Sequence, residues 1–173
     1  MRVARVLAAA VVVASLASPA LAQTMVPPPV RAVSLSGPRF GFTSLSDASV
    51  ARLQESGIQL RPLITQFGWQ FEKQFYSKDG GLTAVNEWVV LLGGLEQGVT
   101  IPSVSWMVGL RTPEGAEFGV GPNITPTGVA LAIAAGVTFR AGALNVPVNV
   151  AVVPSKNGTR VSMLSGFNFR GRR

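Results

Sequence analysis

Residues 128–170 constrain this chain more than any other stretch. Val129, Leu131, Ile133, Ala135, Val137 and Phe139 alternate with Gly128, Ala130, Ala132, Ala134, Gly136, Thr138 and Arg140. Side chains of a strand point to opposite faces in turn, so the first set shares one face and the second the other. Ala141-Gly142 permits a tight reversal. Joining Arg140 to Ala143 across it predicts Phe139 opposite Leu144, Val137 opposite Val146 and Ile133 opposite Val150. A second reversal falls at Lys156-Asn157-Gly158-Thr159, because both residues of Asn-Gly accept a positive φ. Joining Lys156 to Thr159 sets Val152 against Met163, Val148 against Phe167 and Val146 against Phe169. Two independent turns thus carry one bulky apolar face across three strands, and a slip of one residue in either would destroy it.

The same period runs upstream. Residues 37–43 form a short first strand with Phe40 and Phe42. Ser46-Asp47 opens a helix that carries Val50 and Leu53 and stops at Gly57. Residues 63–76 read as a long strand with Phe67, Trp69, Phe71 and Phe75 on one face. The turn near Asp79-Gly80 leaves two registers open. A two-residue loop pairs Phe71 with Trp88 and Trp69 with Val90, but opposes Glu72 to Glu87. A three-residue loop ending at Gly81 pairs Lys73 with Glu87 instead. Residues 101–112 put Val104, Trp106, Val108 and Leu110 together. Pro113-Glu114-Gly115 suits a type I turn with a left-handed glycine. Pairing Thr112 with Ala116 then sets Leu110 opposite Phe118, Val108 opposite Val120 and Arg111 opposite Glu117, a favourable cross-strand pair.

The expected fold is mainly β: an antiparallel meander of about eight strands, closed into a barrel, with one short helix near the N-terminus. Tight turns at Lys78, Pro113 and Ala141 mark one end. Looser connections at 93–100 and 121–127, the helical connection and the Asn157 hairpin mark the other. An even strand number returns both termini to the tight-turn end.

Residues 1–22 read as a secretory signal peptide: Arg2 and Arg5, an apolar run, then Ala20-Leu21-Ala22. Residues 23–36, with Pro27-Pro28-Pro29, read as a tether. Residues 37–170 form one domain and 171–173 a basic tail. The chain has no cysteine and no histidine, and only 13% of its residues are charged, against about 25% in a typical soluble domain. The usual general base, thiol nucleophile and most transition-metal ligands are therefore missing, so no enzyme activity and no cofactor are expected. Basic residues are not interleaved with aromatics, so no nucleic-acid partner is expected either.

These features resemble the small eight-stranded outer-membrane β-barrel proteins of Gram-negative bacteria. The resemblance rests on the signal peptide, the alternating strands, the asymmetry of the turns and the late Gly166-Phe167-Asn168-Phe169. It implies an exported, non-enzymatic envelope protein with a packed interior, tight turns and termini on the periplasmic side, and outer-membrane lipid as partner. Phe67, Trp69, Phe71, Val104, Trp106, Val108, Phe118, Val148 and Phe167 then form the lipid-facing wall, and Glu72, Glu87, Arg111 and Glu117 an interior polar network. The residues also fit a soluble periplasmic or secreted barrel or sandwich, whose bulky face is a dry core that binds a lipid or other apolar ligand.

The export reading sets a first prediction. Protein extracted from the cell envelope should have an intact mass that starts at Gln23. A mass that retains Met1–Ala22 would sink it.

Overall fold

The computed structural model describes residues 35–77, 81–156 and 158–169. The signal peptide, most of the proline-rich segment, the Lys78-Asp79-Gly80 turn, Asn157 and the tail at 171–173 lie outside the described residues. Nine strands run in chain order: β1 (Gly37–Leu45), β2 (Leu63–Ser77), β3 (Thr83–Gly93), β4 (Ile101–Arg111), β5 (Ala116–Thr125), β6 (Gly128–Ala141), β7 (Leu144–Val153), β8 (Arg160–Gly166) and β9 (Asn168–Phe169). Helix α1 (Asp47–Glu55) joins β1 to β2, and a 3-10 turn (Leu95–Gln97) lies between β3 and β4. Each strand from β1 to β8 pairs antiparallel with its sequence neighbour, and β1 pairs with β8. The result is a closed eight-stranded antiparallel barrel. The two-residue β9 continues β8 beyond Phe167 and pairs with β7. Closure leaves no unpaired edge along the body of the sheet, so each strand from β1 to β8 meets two neighbours.

The β4–β5 hairpin follows the sequence expectation. Val108 pairs with Val120, Leu110 with Phe118 and Arg111 with Glu117. Gly115 takes a positive φ of 96° in the turn. For β2–β3 the structure selects the register with Phe71 opposite Trp88 and Glu72 opposite Glu87. A bulge between Gln74 and Tyr76 puts the pairs nearest the turn, Tyr76 with Ala84 and Ser77 with Thr83, in the other register and leaves Phe75 and Tyr76 both exposed.

Three turns depart from expectation. Across β6–β7, Ala141 pairs with Leu144, Phe139 with Val146, Val137 with Val148 and Ile133 with Val152. The loop is Gly142-Ala143, because only Gly142 has a positive φ, at 60°. A turn with glycine in its first central position needs that conformation there, and alanine resists it. Across β7–β8, Val153 pairs with Arg160, Val152 with Val161, Val150 with Met163 and Val148 with Ser165. The expected pairs of Val152 with Met163 and Val148 with Phe167 are therefore not formed. The two-residue loop is replaced by residues 154–159, because a tertiary contact takes the backbone of Thr159. Ser46 N–H donates to the Thr159 carbonyl at 3.0 Å, and Thr159 N–H donates to Ser46 Oγ at 3.0 Å. Gly158 lies so close to α1 that a Cβ would sit 2.4 Å from Ser49 N. Finally, the β5–β6 connection is a tight Pro126-Thr127 turn, with Thr125 opposite Gly128. The looser 121–127 loop is not seen, because β5 stays paired through Thr125.

Both shifts in register are of two residues, so every side chain keeps its expected face.

Helix α1 starts where expected. Ser46 Oγ accepts from Ser49 N–H and Asp47 occupies the first turn, where the helix dipole favours an anion. Leu53 is buried with Leu45, Leu60, Ile64 and Ile101. The helix therefore covers the barrel end away from the termini. At the same end Glu96 accepts from the Thr65 backbone N–H at 2.9 Å. The Thr65 hydroxyl, with that N–H, holds the Glu96 carboxyl down at about 2. At the other end Leu35 is buried, and its carbonyl accepts from Arg39 Nη2 at 2.6 Å. Ser36 Oγ accepts from Glu72 N–H at 2.8 Å. The last two residues of the segment read as a tether thus pack on the barrel.

The β7–β8 register has a direct test in a chain without cysteine. Directly opposed Cβ atoms lie about 4.5–5.5 Å apart and diagonal ones somewhat under about 7–8 Å, and a disulfide needs about 3.5–4.5 Å. The double variant V150C/M163C should crosslink on oxidation much more efficiently than V152C/M163C. The opposite order would mean that the Asn157 hairpin is two residues tighter.

Candidate functional site

Alternation assigns each strand residue to the outer wall or to the lumen, and the bulky face is the outer one. Phe67, Trp69, Phe71, Trp106, Val108, Phe118 and Phe167 are all exposed, between 41% and 54%. Val104 and Val148, on the same face, are half-buried between neighbours. The wall extends beyond these residues. Phe40 and Phe42 from β1, Trp88 from β3, and Leu131, Ile133 and Phe139 from β6 are also exposed. Their period of two was visible in the sequence. Trp88 and Trp106 stack with ring centres 6.1 Å apart. The bulky face is therefore not a dry core, and the soluble reading built on that core does not describe this arrangement.

The lumen holds what the outer wall lacks. Arg111 from β4 donates from Nε to Glu117 Oε2 at 2.9 Å and from Nη1 to Glu72 Oε1 at 2.9 Å. Its Nη2 also bonds Glu72 Oε2 and lies 3.5 Å from Glu87 Oε1. All four side chains are nearly or fully buried. Asn149 Nδ2 donates to Glu117 Oε1 at 2.6 Å. The four residues expected as an interior network are thus brought together. The opposition of Glu72 and Glu87, which looked like a fault of register, is bridged by Arg111 from the adjoining strand.

Other interior polar residues were not singled out from the sequence. Arg39 donates from Nε to Gln70 Oε1 at 3.0 Å. Thr43 Oγ1 donates to Gln66 Oε1 at 2.5 Å and lies 2.7 Å from Ser162 Oγ. Nearer α1, Arg160 donates to Asn123 Oδ1 at 2.9 Å and to Thr125 Oγ1 at 2.7 Å. Alternation with Phe40 and Phe42 could have placed Arg39 and Thr43 inside. Alternation with Met163 could likewise have placed Arg160 inside; only its partner across the ladder depends on the loop before β8.

Small residues make room for this filling. Gly68 lies on the lumen face, where a Cβ would come within 1.9 Å of the Val90 carbonyl oxygen on β3. Ala132 is buried with Met107 and Val153. A cavity of about 90 Å³ remains between the Arg111 cluster and α1, lined in part by Gln70, Glu87, Met107 and Ala132. Among the described residues, no helix is long and apolar enough to cross a membrane, which says nothing of a barrel.

No protein-family model matches the chain, and no curated protein matches it. Among solved structures it is similar to the outer membrane protein Ail of Yersinia pestis. The structure of Ail in a phospholipid bilayer nanodisc is 12% identical over 76% of this chain and 96% of that chain, with a TM-score of 0.47. The crystal structure of Ail in complex with the heparin analogue sucrose octasulfate is 11% identical over 80% of this chain and 99% of that chain, with a TM-score of 0.48. The likeness is one of chain fold alone.

Removing one partner of a buried charge pair costs about 3–5 kcal/mol, because the other charge is stranded. R111M, which strands three carboxylates, should therefore lower stability to urea by at least about that much. Adding E72Q, E87Q and E117Q should recover a large part of the loss. If R111M alone unfolds at the same urea concentration as the parent, the cluster does not hold the barrel.

Proposed function

We propose that this chain is an exported, non-enzymatic outer-membrane barrel with a structural or surface role, its termini and the turns at Pro113 and Gly142 facing the periplasm and its outer wall in contact with lipid. One observation carries the reading: the barrel is apolar outside and charged inside. A soluble protein rarely exposes an apolar patch beyond a few hundred Å², whereas this wall is aromatic or aliphatic around the circumference. Strands β2–β7 run 10 to 15 residues, and about 9–11 tilted residues cross the hydrocarbon layer. In hydrocarbon an unpaired backbone group is costly, and a closed barrel pairs them along its wall. Glu72, Glu87 and Glu117 are engaged by Arg111, and Arg39 and Arg160 bond neutral oxygens of the lumen, which suits a filled plug. Among the described residues no loop extends far beyond the wall, and on this topology a surface role falls to the end that α1 covers.

Trp106 reports on the reading because it is outward-facing and 42% exposed. Trp69 and Trp88 are changed to Phe, and the protein is reconstituted with brominated phospholipids. Strong quenching of Trp106 is expected, with the protein retained in the membrane after carbonate washing. Absence of quenching, with the protein in the soluble fraction, would overturn the membrane reading.

A further inference from the structure

Among the described strand residues, Lys73 is the one charged side chain on the outward register. Arg140 is exposed too, but it lies on the lumen register and donates to the Pro113 carbonyl at 2.9 Å. Lys73 lies in β2 toward the tight-turn end, with Phe71 on one side and Phe75 and Tyr76 on the other. Its partner across the β2–β3 ladder is Asn86, also on the outer wall. Asn86 Oδ1 accepts from the Trp106 indole Nε1 at 2.7 Å. An indole N–H can only donate, so the contact fixes which end of the amide is oxygen. The Asn86 amide nitrogen, with its two N–H donors, is then turned away from Trp106, on the residue that the ladder sets opposite Lys73. Directly opposed Cβ atoms lie about 4.5–5.5 Å apart, so both groups reach one acceptor.

With Asn86 Oδ1 engaged by the indole, this cluster is rich in donors, beside the aromatic rings of Phe71, Trp88 and Trp106. A lysine alone in such a place could simply extend its ammonium to water. An asparagine is too short to do so, and its N–H groups, unpaired in hydrocarbon, carry a desolvation cost. The groups therefore call for an anion that comes with the membrane. We propose that Lys73 and Asn86 bind the phosphate of one glycerophospholipid at the tight-turn end, with its acyl chain laid along Phe71 and the stacked Trp88–Trp106 pair. The inference rests on the membrane reading above, and on that topology the lipid belongs to the periplasmic leaflet.

The test uses the full chain reconstituted in parallel into bilayers of phosphatidylglycerol and of digalactosyldiacylglycerol, which has no phosphate. The protein is then extracted in mild detergent, and native mass spectrometry counts the lipid retained. One phosphatidylglycerol should survive detergent exchange, and the galactolipid should not. K73Q and the double variant K73Q/N86L should weaken retention at least about tenfold, the scale of losing one charge-assisted hydrogen bond. K73R should keep it. Both Lys73 variants change only an exposed side chain, so they report on binding even if the double variant folds poorly. Equal retention of the two lipids, or retention unchanged in K73Q, would overturn the site while leaving the membrane reading intact. Failure to insert into either bilayer would instead remove the membrane reading, and the site with it.

Discussion

Three carboxylates share the lumen of one narrow barrel, and Arg111 is the group that allows it. Glu72, Glu87 and Glu117 come from three strands and converge because each faces inward. Without a cation between them their desolvation and mutual repulsion would oppose closure. A guanidinium suits the place. It stays charged and its planar fork donates to several acceptors at once, as the contacts to Glu72 and Glu117 show. The cluster also links β4 to β2 across β3, so it joins strands that do not share a ladder.

The same inversion of polarity shapes the ends. At one end the ladder is sealed by Leu53 of α1 and by Gly158 and Thr159 seated on the helix N-cap. At the other, Leu35 and Ser36 fold back onto Arg39 and Glu72. The lumen between is packed with small and polar side chains, as an eight-stranded barrel requires. Its charged centre is buried while its outer surface is apolar.

Much of this was legible in the chain. The face of each strand residue, the N-cap at Ser46, the Pro113 turn and the pairing of Arg111 with Glu117 follow from period and turn chemistry alone. The partners of Val152 and Phe139 did not. Ala141-Gly142 and Lys156–Thr159 each looked like complete turns, but a positive φ was available only at Gly142, and Thr159 bonds Ser46 instead of closing a hairpin.

What the sequence by itself determined was parity. A period of two survives any even shift, so the wall and lumen sets were settled before any strand was paired. Register, and which set faced out, were decided only in three dimensions. Register depended on contacts between residues more than one hundred positions apart, such as Ser46 with Thr159. The choice of outer face depended on closure. Eight strands enclose too little space for Phe, Trp and Leu, so the ring could close only with the glycines, alanines and ion pairs inside.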